Sequence, residues 1–256
     1  MSKTTIPAMK PARTPVRKGG KKLLGLLLFF FVALLVVLFF QSSISKIAEI
    51  RVEGRELASE EEILEASGID IGDHYFLASA DRIAERVAAL PVVDKAEVVK
   101  TFPGVITIRI TEHPRVAFQM ASDGTREVLL ADGSVIPAVG PAASIPFDRP
   151  ILTGWTADNP LKTELCRTLA TIAPYLLTDI SEIVPFPSHA YPDKIKLYTR
   201  SSYEVVTTIQ YLPEKIQYLS YITNELKDRG KTTGIITMLE TDRHAEFVLG
   251  EDEQDS

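Results

Sequence analysis

The sequence is poor in the residues that build disulfide frameworks and clustered metal sites. It contains one cysteine, Cys166, in 256 residues, which excludes an intramolecular disulfide and any multi-cysteine metal site. Its four histidines lie far apart, and no pair has the i, i+4 spacing of helical metal ligands. We therefore expect no metal and no cofactor, and we expect Cys166 to be a small packed side chain in a helix.

Catalytic motifs are equally scarce. The sequence has no HExxH, no GxSxG and no phosphate-binding glycine loop. Residues 43–46, 122–124 and 231–234 partly match the Ser-x-x-Lys, Ser-Asp-Asn and Lys-Thr-Gly motifs of penicillin-binding transpeptidases. The second lacks its Asn, the third has an extra Thr, and Ser43 directly follows an apolar run instead of lying in a cleft. No catalytic residue is predicted, and a membrane-anchored, penicillin-interacting cell-wall enzyme is kept as the alternative function.

Acidic residues are absent from the first 40 positions, which hold seven of the 28 Lys and Arg residues. The remaining chain has 21 cationic against 34 acidic side chains, so the formal net charge of −6 averages a basic arm and an acidic body. An acidic body argues against nucleic-acid binding, because phosphates require clustered Lys and Arg.

An apolar run over residues 23–40 separates the arm from the body. These 18 residues carry no polar side chain, and as a helix they would span about 27 Å, enough to cross the hydrocarbon core. Leu23, Phe31 and Phe40 mark the start, middle and end of this predicted membrane anchor.

The anchor is predicted to remain uncleaved over residues 23–42, because the run exceeds the 7–15 residues typical of signal peptides. Basic residues flank only its N-terminal end, which predicts a type II orientation with residues 1–22 in the cytoplasm and the C-terminus outside the cell. The arm is expected to be disordered and to face anionic lipid headgroups.

Residues 46–117 have the pattern of a small α/β module in the order β-α-α-β-β. A short strand is predicted near residues 47–52, and Ser59 with Glu62 forms a capping box for a helix that ends at Gly68. Ser79 is predicted to cap a second helix that stops at Pro91.

Two strands close this module around a turn at Pro103-Gly104. In the first, Ala96, Val98 and Phe102 are predicted to share a face that Lys100 interrupts. The second strand alternates apolar and polar side chains, with a buried face predicted at three isoleucines: Ile106, Ile108 and Ile110.

Residues 118–250 are predicted to form a mainly β domain with two helices. A hairpin turns at Asp132-Gly133, and Asn159 with Pro160 begins a helix whose apolar positions run to Leu176. A second helix starts at Pro213. Further strands are predicted at residues 180–185, 194–199, 203–210, 234–240 and 245–249. Residues 251–256 form an acidic tail that is expected to be disordered.

Two segments resemble the POTRA domain of the DivIB/FtsQ family of bacterial division proteins: IRVEGRELASEEEIL at residues 50–64 and LPVVDKAEVVKTFPGVITIRITEHPRVA at residues 90–117. The hairpin at Asp132-Gly133 and the Pro-x-Leu-x-Gly segment at residues 150–154 extend the resemblance. It implies an α+β protein with one N-terminal transmembrane helix, a POTRA domain and a mainly β domain.

The resemblance also implies a function in the divisome of a Gram-positive-like cell. Members of the family are non-enzymatic scaffolds at the division septum, where they bind coiled-coil partners of the FtsL and DivIC/FtsB type and coordinate septal peptidoglycan synthases. In FtsQ-like proteins the final strand and the preceding helix bind the partner. Carried onto this chain, that role falls on Phe247, Val248 and Leu249.

Two alternatives stay open at this stage. Phe247 and Leu249 share a strand face and could instead be core residues. The strand near residues 47–52 could accept a partner strand, but the structural interpretation is favoured, because packing of the module alone explains its pattern. A POTRA protein of an outer-membrane secretion pathway would need repeated POTRA units or a barrel sequence, and the chain has neither.

Overall fold

The computed structural model describes residues 20–240 and 242–245. Five α-helices lie in this part of the chain: α1 (Gly20–Gln41), α2 (Glu60–Ser67), α3 (Ala80–Ala88), α4 (Pro160–Thr171) and α5 (Leu212–Asp228). Its first six strands are β1 (Glu49–Glu53), β2 (Val93–Thr101), β3 (Val105–Glu112), β4 (Arg115–Met120), β5 (Arg126–Leu130) and β6 (Val135–Pro137). The other six are β7 (Ile151–Leu152), β8 (Ile180–Pro185), β9 (Lys194–Thr199), β10 (Tyr203–Thr208), β11 (Gly234–Met238) and β12 (Asp242–Ala245).

Helix α1 contains the whole apolar run. Its span Lys21–Gln41 has a mean hydropathy of 3.2, and none of that window is buried against the rest of the described chain. A 3-10 turn, Ser43–Ser45, follows at once and joins the helix to the body. The hydroxyl of Ser45 donates hydrogen bonds to the carbonyls of Phe40 and Ser42, at 2.7 and 2.8 Å, which closes the end of the helix.

The module after α1 is a three-stranded sheet with two helices packed on one face. The strand order is β1-β3-β2, with β1 parallel and β2 antiparallel to the central β3, so the predicted order β-α-α-β-β is confirmed. Ile106 and Ile108 of β3 are fully buried in one cluster with Ile63 of α2 and Ile83 of α3. Burial of such side chains contributes about 1.5–3 kcal/mol each.

The predicted helix caps of this module are confirmed. The hydroxyl of Ser59 accepts from the backbone N–H of Glu62 at 3.1 Å, and the carboxylate of Glu62 accepts from the N–H of Ser59 at 2.8 Å. Gly68 ends α2 with a φ of +62°, a left-handed conformation that glycine adopts without strain. Ser79 caps α3.

The prediction that Phe102 shares the buried face of β2 is wrong. Phe102 follows the end of the strand and is 57% exposed. Lys100 does not interrupt the face, because its ammonium group folds over the Tyr75 ring and donates to the carbonyls of Tyr75 and Ala78, at 2.6 and 2.7 Å. A lysine can take this position because its long aliphatic stem packs on apolar surface while the ammonium group finds oxygen partners.

The rest of the described body is built on a nine-stranded sheet in the order β12-β11-β10-β9-β8-β7-β4-β5-β6. Strand β4, which the sequence patterns did not reveal, pairs antiparallel with β5 and parallel with the short β7. The hairpin predicted at Asp132-Gly133 joins β5 to β6. The strands predicted at 180–185 and 194–199 are confirmed as β8 and β9, and the strand predicted from Tyr203 ends at Thr208.

Helices α4 and α5 contribute to one core with this sheet. The side chain of Asn159 accepts from the N–H of Leu161 at 3.0 Å and begins α4, as predicted. The helix ends at Thr171, so the prediction that its apolar pattern continues to Leu176 is wrong. Pro174 instead starts a separate 3-10 turn, because proline has no N–H to continue the helical hydrogen bonds.

The sheet and the small module share a second core. Phe118 of β4, and Val128 and Leu130 of β5, are fully buried in the same cluster as the module's isoleucines. Their neighbours Ala117 and Leu129 point to the other face and belong to the core with α4 and α5. Strands β4 and β5 are therefore buried on both faces. The core on one of these faces joins the module to the nine-stranded sheet.

Candidate functional site

The C-terminal edge of the large sheet is the first candidate interaction surface. Strand β12 lies at one end of the strand order and pairs antiparallel with β11, with Met238 opposite Asp242 and Ile235 opposite Ala245. Two hydrogen bonds hold β11 and the segment before it: the Thr207 hydroxyl donates to the Met238 carbonyl of β11 at 2.8 Å, and the Tyr203 hydroxyl donates to the Lys231 carbonyl at 2.6 Å. The edge strand therefore rests on a well-anchored neighbour.

The residues predicted to bind a partner, Phe247, Val248 and Leu249, lie outside the described residues. Of the strand predicted over residues 245–249, only Ala245 is described, and it ends β12. The preceding residues Asp242, Arg243 and His244 are part of that strand, although the sequence pattern assigned them to the connection before it.

Helix α5 adds a surface that the sequence patterns missed. Its buried side consists of Leu212, Ile216, Leu219 and Leu226, whereas Tyr218 and Tyr221 on its outer side are 55% and 69% exposed. Tyrosine is enriched where proteins bind each other, because it combines a large apolar ring with a hydroxyl. The i, i+3 spacing of two tyrosines off the apolar stripe is the signal that could have found this surface.

Within the small module, Glu112, the last residue of β3, holds the loop before α2. Its carboxylate accepts from three successive backbone N–H groups, those of Glu56, Leu57 and Ala58, at 2.8–3.0 Å. Hydrogen bonds to an ionised acceptor are the strong ones, so Glu112 fixes the loop before α2 against the exit of β3. Glu112 therefore has a structural role within the module.

Three residues after Glu112, Arg115 forms an ion pair. The guanidinium of Arg115, at the start of β4, makes a two-point contact with the carboxylate of Asp148. Partial burial of Asp148 favours its neutral form, but the hydrogen bond and charge of Arg115 outweigh burial and hold the pKa of Asp148 below its ordinary value. Arg126 similarly donates to the carbonyls of Ala142, Ala143 and Ile145 and holds the segment before β7.

The three segments that partly match transpeptidase motifs lie on separate elements. Ser43 is exposed on the 3-10 turn directly after α1, not on a helix in a cleft. Ser122 is in the turn between β4 and β5, and Gly234 begins β11. Strands β4 and β11 are five positions apart in the sheet, which is about 24 Å at the usual strand spacing. The arrangement does not bring a nucleophile and base together.

The other reactive side chains have structural surroundings. Cys166 is fully buried in α4, as predicted, and burial raises the pKa of its thiol to about 11. His113 is partly buried between the carboxylates of Asp94 and Asp132, with N–O distances of 3.9 and 3.8 Å. Among the described residues, no group of three or more His, Cys, Asp or Glu side chains could hold a metal ion.

The side chains that mark the predicted membrane anchor are exposed, and the ring of Phe40, at the end of α1, lies 6.3 Å from that of Phe76 in the body. Leu23, Phe31 and Phe40 are 69%, 57% and 41% exposed on α1. Within the described chain, α1 is the one helix long and apolar enough to cross a membrane.

Comparison with known proteins points to one family. A family model described as POTRA domain, FtsQ-type, matches residues 45–113, which span the small module. The cell division protein DivIB of Paenibacillus polymyxa (strain E681) is 42% identical over 247 residues, covering 96% of this chain and 94% of that protein. The DivIB proteins of Brevibacillus brevis (strain 47) and Bacillus subtilis (strain 168) are 32% and 30% identical and cover 92% and 90% of this chain, and 87% and 85% of their own lengths.

A solved structure is also similar to part of the chain. It is the major extracytoplasmic domain of the trans isomer of DivIB from Geobacillus stearothermophilus, with 29% sequence identity and a TM-score of 0.38. The match covers 46% of this chain and 97% of that structure.

Proposed function

Because the chain belongs to the DivIB family of cell division proteins, we propose that it is a non-enzymatic, single-pass membrane scaffold of the divisome. The observation that carries this proposal is the 42% identity to a DivIB protein over 96% of the chain, since a match of that length includes both the apolar helix and the body. In this proposal residues 46–117 are the POTRA domain and residues 118–250 the β domain.

The membrane helix gives the scaffold its place and orientation. Residues 23–42, marked by Leu23, Phe31 and Phe40, cross the membrane, with residues 1–22 in the cytoplasm and the body outside the cell. The one-sided cluster of Lys and Arg before the helix supports this orientation. Protease added to intact protoplasts would then remove the body and leave an N-terminal fragment, whereas the reverse orientation would protect the body.

The C-terminal edge of the sheet is the proposed binding site for coiled-coil division proteins of the FtsL and DivIC/FtsB type. An edge strand offers unpaired backbone groups to which a partner segment can add by β-augmentation. The position of β12 at the end of the strand order supports this role. Phe247, Val248 and Leu249 follow the end of β12 after one intervening residue, and the exposed tyrosines of α5 offer a second contact surface.

A binding experiment tests this site directly. Phe247→Glu or Leu249→Glu should weaken co-purification with the coiled-coil partners by at least about tenfold, because a charge replaces an apolar contact in a desolvated interface. Tyr175→Glu is the control, since Tyr175 is 72% exposed on the 3-10 turn after α4. Undiminished binding by both Glu variants, with a normal unfolding transition, would contradict the proposed site.

Coordination of septal peptidoglycan synthases is the proposed outcome of these contacts. A scaffold that binds membrane partners at midcell brings the synthases to the septum without chemistry of its own. Fluorescent localisation of the tagged full-length chain in dividing cells should therefore show a septal band. An even distribution around the membrane would contradict the proposal.

A further inference from the structure

Two loops of the small module expose apolar side chains that do not belong to its hydrophobic core. The loop between α2 and α3 presents Ile71, Phe76 and Leu77, which are 71%, 46% and 77% exposed. The turn between β2 and β3 presents Phe102, which is 57% exposed. We refer to these four side chains as the apolar loop surface. Neighbouring exposed apolar side chains mark sites that bind a protein or a membrane.

Backbone hydrogen bonds tie both loops to the segment that leaves α1. In the first loop the N–H of Tyr75 donates to the Ser45 carbonyl at 2.9 Å, and the N–H of Ile47 donates to the Asp73 carbonyl at 2.8 Å. In the second, the Gly104 carbonyl accepts from the N–H of Ala48 at 2.7 Å. The apolar loop surface is therefore held within a few residues of the end of the membrane helix.

Aromatic rings make this surface continuous with the helix itself. The ring of Phe76 lies 5.7 Å from that of Phe39 and 6.3 Å from that of Phe40, at the end of α1. On its other side Phe76 lies 6.4 Å from Phe102. A chain of ring contacts thus runs from the last turn of α1 through the first loop to the second.

We propose that the apolar loop surface docks onto the lipid bilayer, in the leaflet from which the body emerges, and so fixes the orientation of the small module on the membrane. The proposal rests on the proposed function, because it requires α1 to span the bilayer. Phe39 and Phe40 then lie at the boundary of the hydrocarbon core, and Phe76 in contact with them lies at the same level. Apolar side chains at such a boundary insert about 5–10 Å into the headgroup region.

Charged groups in the same loop limit the depth of docking. Asp70 and Asp73 are exposed, and the Asp73 carboxylate turns back to accept from the N–H of Asp70 at 2.9 Å. Carboxylates are costly in hydrocarbon, so the surface fits the headgroup region and not the bilayer core. A docked module would be restricted to one side of the helix axis, whereas an undocked one would swing about the turn Ser43–Ser45.

Depth-dependent fluorescence quenching on the full-length chain tests the docking. Leu77→Cys, labelled with an environment-sensitive fluorophore, is reconstituted into two sets of phosphatidylethanolamine and phosphatidylglycerol vesicles. Their lipids carry a nitroxide near the headgroup in one set, which reports positions 77 and 175, and at mid-chain in the other, which reports position 34. Buried Cys166 remains unlabelled in the native chain, and the unsubstituted chain measures any background. Leu34→Cys, within α1, reports insertion of the helix, and Tyr175→Cys reports a water-exposed site.

We expect the probe at position 77 to be quenched by the lipid nitroxide at least about twofold more than the probe at position 175. Equal quenching at these two positions, with strong quenching at position 34, would overturn the docking while leaving the membrane anchor intact. Absence of quenching at position 34 would overturn both, because the helix would then lie outside the bilayer. Since the vesicles contain no other protein, a surface that binds only a protein partner would give the first of these negative results.

A second variant separates docking from simple proximity to the helix. Ile71→Ser with Phe102→Ser, in the Leu77→Cys chain, should lower the quenching at position 77 toward that at position 175. Val139→Ser removes an aliphatic side chain that is 61% exposed elsewhere in the body and should leave the quenching unchanged. Unchanged quenching in the double variant, with the same thermal unfolding midpoint, would show that position 77 is near lipid without docking and would overturn the proposal.

Discussion

The guanidinium of Arg115 faces the carboxylate of Asp148, so that Nη1 donates to Oδ1 and Nη2 donates to Oδ2, the latter at 3.1 Å. Arg115 is 17% exposed, and Asp148 is 36% exposed. The pair connects the first residue of β4 to the segment before β7. The pair therefore lies where the chain leaves the small module and enters the large sheet. Its loss should destabilise the packing of the module against the sheet.

Replacing Arg115 should destabilise the body more than replacing an exposed arginine. Arg115→Met keeps the aliphatic volume but leaves Asp148 with a weaker partner set, which should cost about 1–2 kcal/mol. The matched control is Arg51→Met, because Arg51 forms an exposed pair with Glu49 that water and salt screen, so its loss should change stability little. Urea unfolding of the full-length chain in detergent measures both, and equal effects would contradict the prediction.

The same pair predicts a dependence on pH. The pKa of folded Asp148 lies below the ordinary value of about 3.9, so its contribution to stability is complete above that value and is lost as the pH falls through the folded pKa. Asp148→Asn should therefore lower stability at pH 7 and differ less from the parent chain near pH 3. Asp158→Asn, at an exposed site, is the control. A difference that stays constant from pH 7 to pH 3 would refute this assignment.

Removal of the Glu112 carboxylate should unfasten the loop before α2. Glu112→Ala leaves three backbone N–H groups without their acceptor, which should cost about 1–3 kcal/mol, and Glu112→Gln should cost less because its carbonyl oxygen still accepts. Glu97→Ala, on the exposed side of β2, should change stability little. Amide hydrogen exchange at residues 56–58 is the direct measurement, and unchanged protection there would contradict the role.

Cys166 should react with thiol reagents only when the body unfolds. Burial raises its pKa to about 11, so at pH 8 the reactive thiolate is nearly absent and the sulfur is covered. Ser122→Cys adds an exposed thiol in the β4–β5 turn and should react at once. Labelling of the native chain followed over increasing urea should show Cys166 reacting along the unfolding transition, and rapid labelling without urea would contradict its burial.

The parts of the fold that the sequence predicted correctly depend on interactions between residues close together along the chain. Ser59 with Glu62, and Asn159 with Pro160, begin helices through contacts within a few residues, so their sequence patterns were sufficient. The alternation of Ile106, Ile108 and Ile110 likewise identified β3 and its buried face. These predictions succeeded because each depends on neighbours along the chain.

Non-local pairing explains what was missed. Strand β4 is buried on both faces, so it lacks the apolar–polar alternation that identifies a half-buried strand. Phe102 looked like a core residue because a sequence pattern does not distinguish a strand face from the loop that follows it. The sequence pattern predicted no role for the apolar side chains of the α2–α3 loop, because the end of α1 lies near them only in the folded structure. The predicted partner-binding residues Phe247–Leu249 remain a prediction.

The parallel pairing of β1 with β3 sets an order in which the small module can assemble. Glu49 is opposite Val105, and the central position of β3 means that neither β1 nor β2 has a sheet partner until β3 has been made. As the chain is synthesised from its N-terminus, strand β1 must wait for more than fifty further residues before it can pair. Closing such a long loop slows folding. Through that interval the apolar side chains of α2 and α3 have no central strand to pack against, so they stay exposed to solvent.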